Sequence, residues 1–215
     1  SKLFNNENYL FLKTDVTNKN EISNSLNLVC KKFGSPSALI NNAALDSPPG
    51  DSEKINGPFE EYPEEAWDKV IDVNLKSIFL TCQLIGNEMV NNSGGSIINI
   101  SSHYGLISPD QRIYDYKENF TKPVAYSASK SGIFNLTRYL STYWGSKNIR
   151  VNTLTLGGVF DDQDKQFVEN YSKRVPLGRM AEKHEYNGVI QFLISDASSY
   201  ITGSNLVCDG GWTAW

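Results

Sequence analysis

Short apolar runs recur along this chain with stretches of helical periodicity between them, and this alternation restricts the fold more than any other feature. Ala38-Leu39-Ile40, Ile97-Ile98-Asn99-Ile100, Ile149 to Leu154 and Asn205 to Cys208 have the length and composition of buried strands. Tyr9-Leu10-Phe11-Leu12 is a further run of this kind, followed by turn residues at Asp15-Val16-Thr17. Ile22, Leu26, Val29 and Phe33 follow at helical spacing, with Asn18 and Glu21 placed as a capping box before them and Gly34 as the stop. A longer helical pattern runs from about Pro63 through Met89, and others cover Val124 to Trp144 and Ala181 to Ser195. Strands alternating with helices predict an α/β fold with a mainly parallel sheet. With no internal repeat or composition break, one domain over residues 1–215 is expected.

Composition removes several classes of function. A net charge of −4 gives no electrostatic reason to expect nucleic acid or an anionic membrane surface as partner. No apolar run approaches the roughly 20 residues needed to cross a bilayer. The three cysteines, Cys30, Cys82 and Cys208, are odd in number and far apart, which predicts free thiols in a reducing cytoplasm. His103 and His184 lack companions at ligand spacing, so no metal site is expected.

The residues with chemical promise cluster around Tyr126-Ser127-Ala128-Ser129-Lys130. On a helix, Tyr126 and Lys130 share a face one turn apart. A phenol titrates near 10, and a neighbouring ammonium favours its ionised form, so the pair makes a tunable acid and base. Tyr and Lys also fall four apart on many solvated helices, and context decides between the two readings. Ile97 to Ile100 leads into Ser101-Ser102 at a strand's carboxyl end, the edge where open α/β sheets bind ligands. Asn41-Asn42-Ala43-Ala44 follows a second strand toward the same edge. Asn74 sits among Val70, Ile71 and Leu75 in a helical pattern that disfavours asparagine. The polar stretch Asp46 to Tyr62 is a loop long enough to suggest function.

In these motifs the chain resembles the compact branch of the short-chain dehydrogenase/reductase family, from about Asp15 to Trp212. Asn41-Asn42-Ala43-Ala44 resembles that family's Asn-Asn-Ala-Gly motif, with Ala44 at the glycine. Asn74, Ser102, Tyr126 and Lys130 match its catalytic tetrad, with Ser101 structural. Arg150-Val151-Asn152, Gly157-Gly158-Val159, Tyr200 to Gly203 and Asp209-Gly210-Gly211 resemble its later motifs. Leu156 replaces a proline that usually precedes the glycine. The resemblance implies a Rossmann-like, doubly wound sheet and a nicotinamide cofactor, NAD or NADP. Tyr126 is then the proton shuttle and Ser102 polarises the reacting C–O group. Lys130 lowers the tyrosine pKa and holds the nicotinamide ribose, and Asn74 holds a water linking Lys130 to solvent. Asp15 and Val16 are expected to border adenine, Asn41 the adenosine ribose, and the Val159 backbone the carboxamide, with Ala43 also in the cofactor site.

The departures sharpen the expectations. No glycine-rich turn precedes Asp15, so the family's first strand–helix–strand portion, roughly 30 residues or more, is expected to be lacking, with the residue that selects NAD or NADP. Without it, Ala38 to Ile40 is expected to present an unpaired edge, and pyrophosphate is not expected to bind in the family's manner. His103 to Ala125 forms an enlarged loop in which Arg112 is placed to meet an anionic substrate group. Phe160 to Arg179, with Tyr171, Lys173, Arg174 and Arg179, stands where the family keeps a substrate lid. The Pro109-Asp110-Gln111-Arg112 loop and the Trp212 to Trp215 ending resemble bacterial oxidoreductases of surface-glycan and nonulosonate sugar pathways. The expected activity is NAD(P)-dependent interconversion of a hydroxyl and a carbonyl on a sugar or sugar phosphate, by a cytoplasmic homodimer or homotetramer. The alternatives are a sugar epimerase or dehydratase with tightly held NAD, and a redox-silent interaction protein on the same scaffold.

Overall fold

The computed structural model describes residues 7–48 and 52–215. Ser1 to Asn6 and the Pro49, Gly50 and Asp51 segment of the long loop lie outside the described residues. Strands β1 (Ala38–Asn41), β2 (Gly95–Ser102), β3 (Ile149–Leu156) and β4 (Asn205–Cys208) form a parallel sheet in the order β1-β2-β3-β4. Ile97 stands opposite both Leu39 and Val151 in this register. The central strands are buried almost throughout, which accounts for their unbroken apolar runs.

Helix α1 (Lys19–Phe33) begins where expected, with Asn18 Oδ1 accepting from the Asn20 and Glu21 amides. The other half of the predicted capping box reaches further back, since Glu21 accepts from the Asp15 amide at 2.8 Å. Gly34 ends the helix at φ 84°, a conformation that favours glycine, and its N–H donates to the Cys30 carbonyl. After the helical turn α2 (Ser52–Ile55), the long pattern of the sequence becomes a succession of helical segments with two interruptions. Helix α3 (Glu64–Ile71) passes through a π-helical turn at Asp72–Lys76 into α4 (Ser77–Thr81). A second π turn at Cys82–Gly86 leads into α5 (Asn87–Val90). Beyond β2 come α6 (His103–Leu106), α7 (Val124–Trp144), α8 (Lys165–Ser172) and α9 (Asn187–Ile194).

One sheet face packs Ile97, Ile149 and Val151 against Ile78, Cys82, Met89, Ile133 and Trp144 from the π-interrupted helix and α7. The other packs Ile98, Ile100 and Leu154 against Leu193 of α9. A polar seam crosses the first of these layers. Asn41 Nδ2 donates to Asn99 Oδ1 at 2.8 Å, and Asn99 Nδ2 donates to Thr137 Oγ1 at 3.0 Å. Thr81 Oγ1 donates to Asn41 Oδ1 at 2.7 Å, and Thr137 and Thr153 hydroxyls meet at 2.9 Å. The seam ties three strands and two helices together with every amide matched.

Two expectations are corrected. Tyr9 to Leu12 is irregular backbone rather than a strand, and Phe11 is 83% exposed. No described strand lies beside it, and an apolar run without a hydrogen-bonding neighbour does not make a strand. The segment is tethered by Lys32 Nζ, which donates to the Tyr9 carbonyl at 2.9 Å. The predicted helix over Ala181 to Ser195 starts later, as a 3-10 turn at Lys183–Tyr186 fixed by a Glu182–Glu185 capping box and continuing into α9. The expected edge is present: β1 is terminal in the sheet of described strands, with Ile40 exposed.

The seam predicts its own test. Asn99→Ala strands the Asn41 amide in a buried layer, and unfolding free energy is expected to fall by about 1–3 kcal/mol. Denaturant titration at constant m-value checks this.

Candidate active site

Ser102 ends β2 and caps α6, its Oγ accepting from the Tyr104 amide at 3.2 Å. Helix α6 then lies directly against α7. A Cβ on Gly105 would stand 2.8 Å from the Lys130 carbonyl carbon, so only glycine permits this approach. Ser101 Oγ donates to the Lys130 carbonyl at 3.0 Å, the structural role expected for it, and Ser131 Oγ donates to the Gly105 carbonyl at 2.7 Å. These contacts place Tyr126 and Lys130, one turn apart on α7, beside Ser102 at the carboxyl edge of the sheet. All three line a cleft of about 620 Å³.

Lys130 is 3% exposed, and its Nζ donates to the Ile100 carbonyl at 2.9 Å. The same nitrogen lies 5.8 Å from the centre of the Tyr126 ring. Burial pushes the ammonium down to about 8. Burial also pushes the Tyr126 phenol up to about 12, against the opposing pull of the Ser102 hydroxyl and with help from the Asp46 charge. Desolvation thus dominates Tyr126, and Lys130 is not among the groups that shift it.

Asn74 is fully buried in the first π turn, where Ser77 Oγ donates to the Val73 carbonyl at 2.5 Å. Its amide pairs with both backbone groups of Leu45, at 2.7 and 2.8 Å, and donates to Ser129 Oγ at 3.0 Å. It thus clamps the segment after β1 onto α7 next to Tyr126.

The nucleotide residues of the sequence reading divide between two places. Val159 joins Tyr126 and Lys130 in the cleft. Val16, Asn41 and Ala43 line a separate apolar cavity of about 340 Å³ between α1 and β1, and Asn42 borders both spaces. Asp15 is not part of either. It is exposed, and its carboxylate accepts from the Thr17 amide and hydroxyl to form the turn before α1. Asn41 borders the cavity, but its side-chain amide is taken up by the polar seam.

Arg112 is also corrected. A 3-10 turn at Gln111–Tyr114 buries Ile113 and Tyr114, which leaves Arg112 71% exposed and outside the cleft. Its fork closes on Asp110, with Nε–Oδ1 at 2.8 Å and Nη2–Oδ2 at 2.9 Å, and Arg174 shares the same carboxylate. Of the lid candidates, Tyr171 reaches the cleft wall, while Lys173 pairs with Glu169 and Arg179 with Glu185.

A second cation facing Tyr126 is Lys122, which the sequence reading did not select. Its side chain is only 10% exposed, it is ion-paired to Asp46, and its Nζ lies 5.3 Å from the Tyr126 ring centre. Its position four residues before Tyr126, at the approach to α7, was the signal available. Thr121 N–H donates to the Asn56 carbonyl at 2.6 Å, so the two long loops meet above the cleft. His103, also on the cleft wall, is buried, with Nδ1 3.2 Å from the Leu156 carbonyl.

The buried ammonium has a measurable signature. Lys130 is lowered in the fold from 10.5 to about 8. The folded protein therefore binds fewer protons than the unfolded chain between those values, and its burden on stability is full below pH 8 and gone above 10.5. The stability advantage of Lys130→Met over the wild type is expected to shrink by about 3 kcal/mol across that window. Unfolding curves of both proteins over pH 7–11, taken as a difference, check this.

Comparison with known proteins gives this geometry its setting. Residues 2–213 match a family model described as enoyl-(acyl carrier protein) reductase. An NAD-dependent glycerol dehydrogenase of Listeria innocua is 34% identical over 209 residues, covering 95% of this chain and 75% of that protein. A 3-oxoacyl-[acyl-carrier-protein] reductase of Thermotoga maritima is 32% identical, over 92% of this chain and 74% of its own. Among solved structures, a short chain dehydrogenase from Leptospira borgpetersenii with bound NAD+ superimposes with a TM-score of 0.82. It is 34% identical, over 94% of this chain and 74% of that one. No helix among the described residues is long and apolar enough to cross a membrane. The chain belongs to the short-chain dehydrogenase/reductase family.

Proposed function

We propose that this protein interconverts a hydroxyl and a carbonyl on a sugar or sugar phosphate, with NAD or NADP as the hydride partner. The observation that carries the reading is the convergence of Tyr126, Lys130 and Ser102 on one cleft. The polyol-oxidising Listeria relative supports a hydroxylated substrate. So does the mixture of tyrosine hydroxyls with the Lys122–Asp46 pair along the cleft.

The residues at the nicotinamide end fit such a cofactor. The Lys130 ammonium has three N–H donors, of which the Ile100 carbonyl takes one, so the others are available to ribose hydroxyls. Lys130, Tyr126 and the Val159 backbone would hold the nicotinamide half, and Val16, Asn41 and Ala43 would border the adenosine half. The bound cofactor supplies a hydride acceptor for oxidation or a donor for reduction.

In the oxidation direction, Ser102 Oγ–H donates to the substrate oxygen while the Tyr126 phenolate takes its proton, as hydride leaves the same carbon. In reduction, Tyr126 returns the proton to the forming alkoxide, and Ser102 polarises the carbonyl beforehand. A phenol near 12 stays almost wholly protonated near neutral pH, so further positive charge in the cleft is required to populate the phenolate. Lys130 and Lys122 already stand 5.8 and 5.3 Å from the ring centre, so the additional charge would come from an oxidised nicotinamide ring. Asn74 acts as a positioning residue, through Ser129 and Leu45.

A homodimer or homotetramer belongs to the same reading. Tyr139 and Tyr143 are both exposed on the outer side of α7 and stack 5.9 Å apart, a surface suited to a second copy.

Tyr126→Phe removes only the proton-transferring hydroxyl, and kcat is expected to fall about 10²–10⁴-fold. Affinity for NAD(H) or NADP(H) should stay within about threefold, since general acid–base catalysis and binding are separate contributions. NAD(P)H absorbance with sugar substrates and calorimetric cofactor titration measure the two. Undiminished turnover would remove Tyr126 from the mechanism. Tyr143→Arg is expected to shift the protein toward monomer in analytical ultracentrifugation, and an unchanged assembly would place the interface elsewhere.

A further inference from the structure

His103 is the first residue of α6, next to Ser102 in the chain, and its ring lines the same cleft. It is 3% exposed and held among aromatic rings, 4.1 Å from Tyr104, 5.1 Å from Trp212 and edge-on to Tyr171 at 5.9 Å. The Leu156 carbonyl near Nδ1 can only accept, so Nδ1 carries the ring proton. Burial pushes the imidazole down to about 4, which leaves it neutral near pH 7. Nε2 in that tautomer is a bare acceptor, and it is buried with no hydrogen-bond partner among the described residues. A buried acceptor left unmatched is unfavourable, and a ligand that brings a donor relieves it.

We propose that His103 Nε2 accepts a hydrogen bond from a second hydroxyl of the substrate, distinct from the one that reacts. The inference rests on the oxidoreductase reading above and narrows it. The reacting oxygen lies between the Ser102 and Tyr126 hydroxyls, and His103 adds a fixed acceptor on the same wall. An acceptor without a proton selects O–H or N–H groups. A ketone, a thioester carbonyl or a methylene in that position offers it nothing. The site therefore favours polyols, sugars and hydroxy-ketones over 3-oxoacyl chains. Nε2 is closed to solvent without a ligand, so the hydroxyl reaches it as a neighbouring ring gives way, and the new hydrogen bond offsets that movement.

The test uses the full-length protein with glycerol, D-threitol and propan-2-ol, the last having a single hydroxyl. His103→Phe keeps a flat ring and removes the acceptor. Its kcat/KM is expected to fall roughly 10- to 100-fold on glycerol and threitol, the range for an unmatched buried polar group. It is expected to stay within about twofold on propan-2-ol, which makes no such hydrogen bond. An equal loss on all three, or no loss on the polyols, overturns the inference while leaving the oxidoreductase reading intact. A second measurement needs neither turnover nor the variant. The chain has two histidines, so a His184→Gln protein assigns the imidazole ¹⁵N resonances of His103. Threitol is expected to shift the Nε2 resonance, and propan-2-ol is not. An unmoved resonance under threitol overturns the inference. A wild type that oxidises no polyol or sugar with NAD or NADP defeats the oxidoreductase reading, and the resonance still decides the role of His103.

Discussion

The ammonium of Lys130 is buried at the end of β2, and the surrounding structure is organised around keeping it there. Removing a charge from water is strongly unfavourable unless dipoles replace the lost hydration. The Ile100 carbonyl provides one such dipole. For that carbonyl to meet Nζ, α7 must run close over the strand end. Ser101 of β2 and Gly105 of α6 secure that approach with Ser131 of α7, and Asn74 secures it from the opposite side through Ser129. Remove the close approach and Tyr126 loses its place opposite Ser102.

This arrangement keeps the active-site groups away from their ordinary protonation behaviour. Desolvation acts on Tyr126 and Lys130 in opposite directions, raising the phenol and lowering the amine. The two values move apart, so the proton stays on Tyr126 unless added positive charge stabilises the phenolate. Lys122 and Asp46 sit at this balance with opposite signs: the cation faces the ring, while the carboxylate adds to the elevation of the phenol. A substrate or solvent ion that separated the pair would change the base strength of Tyr126 without touching it.

The sheet and the tetrad positions were readable because each leaves a local trace. Continuous Ile and Val runs mark strands buried on both faces, and Tyr126 to Lys130 has the spacing of one helical turn. What could not be read depends on contacts between distant segments. Tyr9 to Leu12 has a strand's composition but no neighbour to pair with. Arg112 has the chemistry of an anion ligand, yet burial of Ile113 and Tyr114 turns it outward to Asp110. Asp15 is used by a turn, and Asn41 by the seam beneath the sheet. Lys122 was visible as a charge in a loop, and only the folding of that loop over Tyr126 reveals its position. The π turns leave no periodic signature, because the apolar spacing from Trp67 to Met89 is compatible with an unbroken α-helix.

The first of those π turns has a bearing on how this helix tolerates change. A π turn holds one residue more than the α turn it interrupts. Deleting a single residue within Asp72–Lys76 would let regular α-helical hydrogen bonding run from α3 into α4. The flanking segments would keep their phase, because the wider turn absorbs its extra residue. Asn74, which lies in that widened turn, would lose the backbone setting that pairs it with Leu45 and Ser129. The irregularity works as a phase adjuster: it lets one continuous rod present a core-facing stripe on both sides of a residue that must face the site. Length variation is therefore open to the surface loops of this protein and closed to a stretch that, by composition, looks like an ordinary helix.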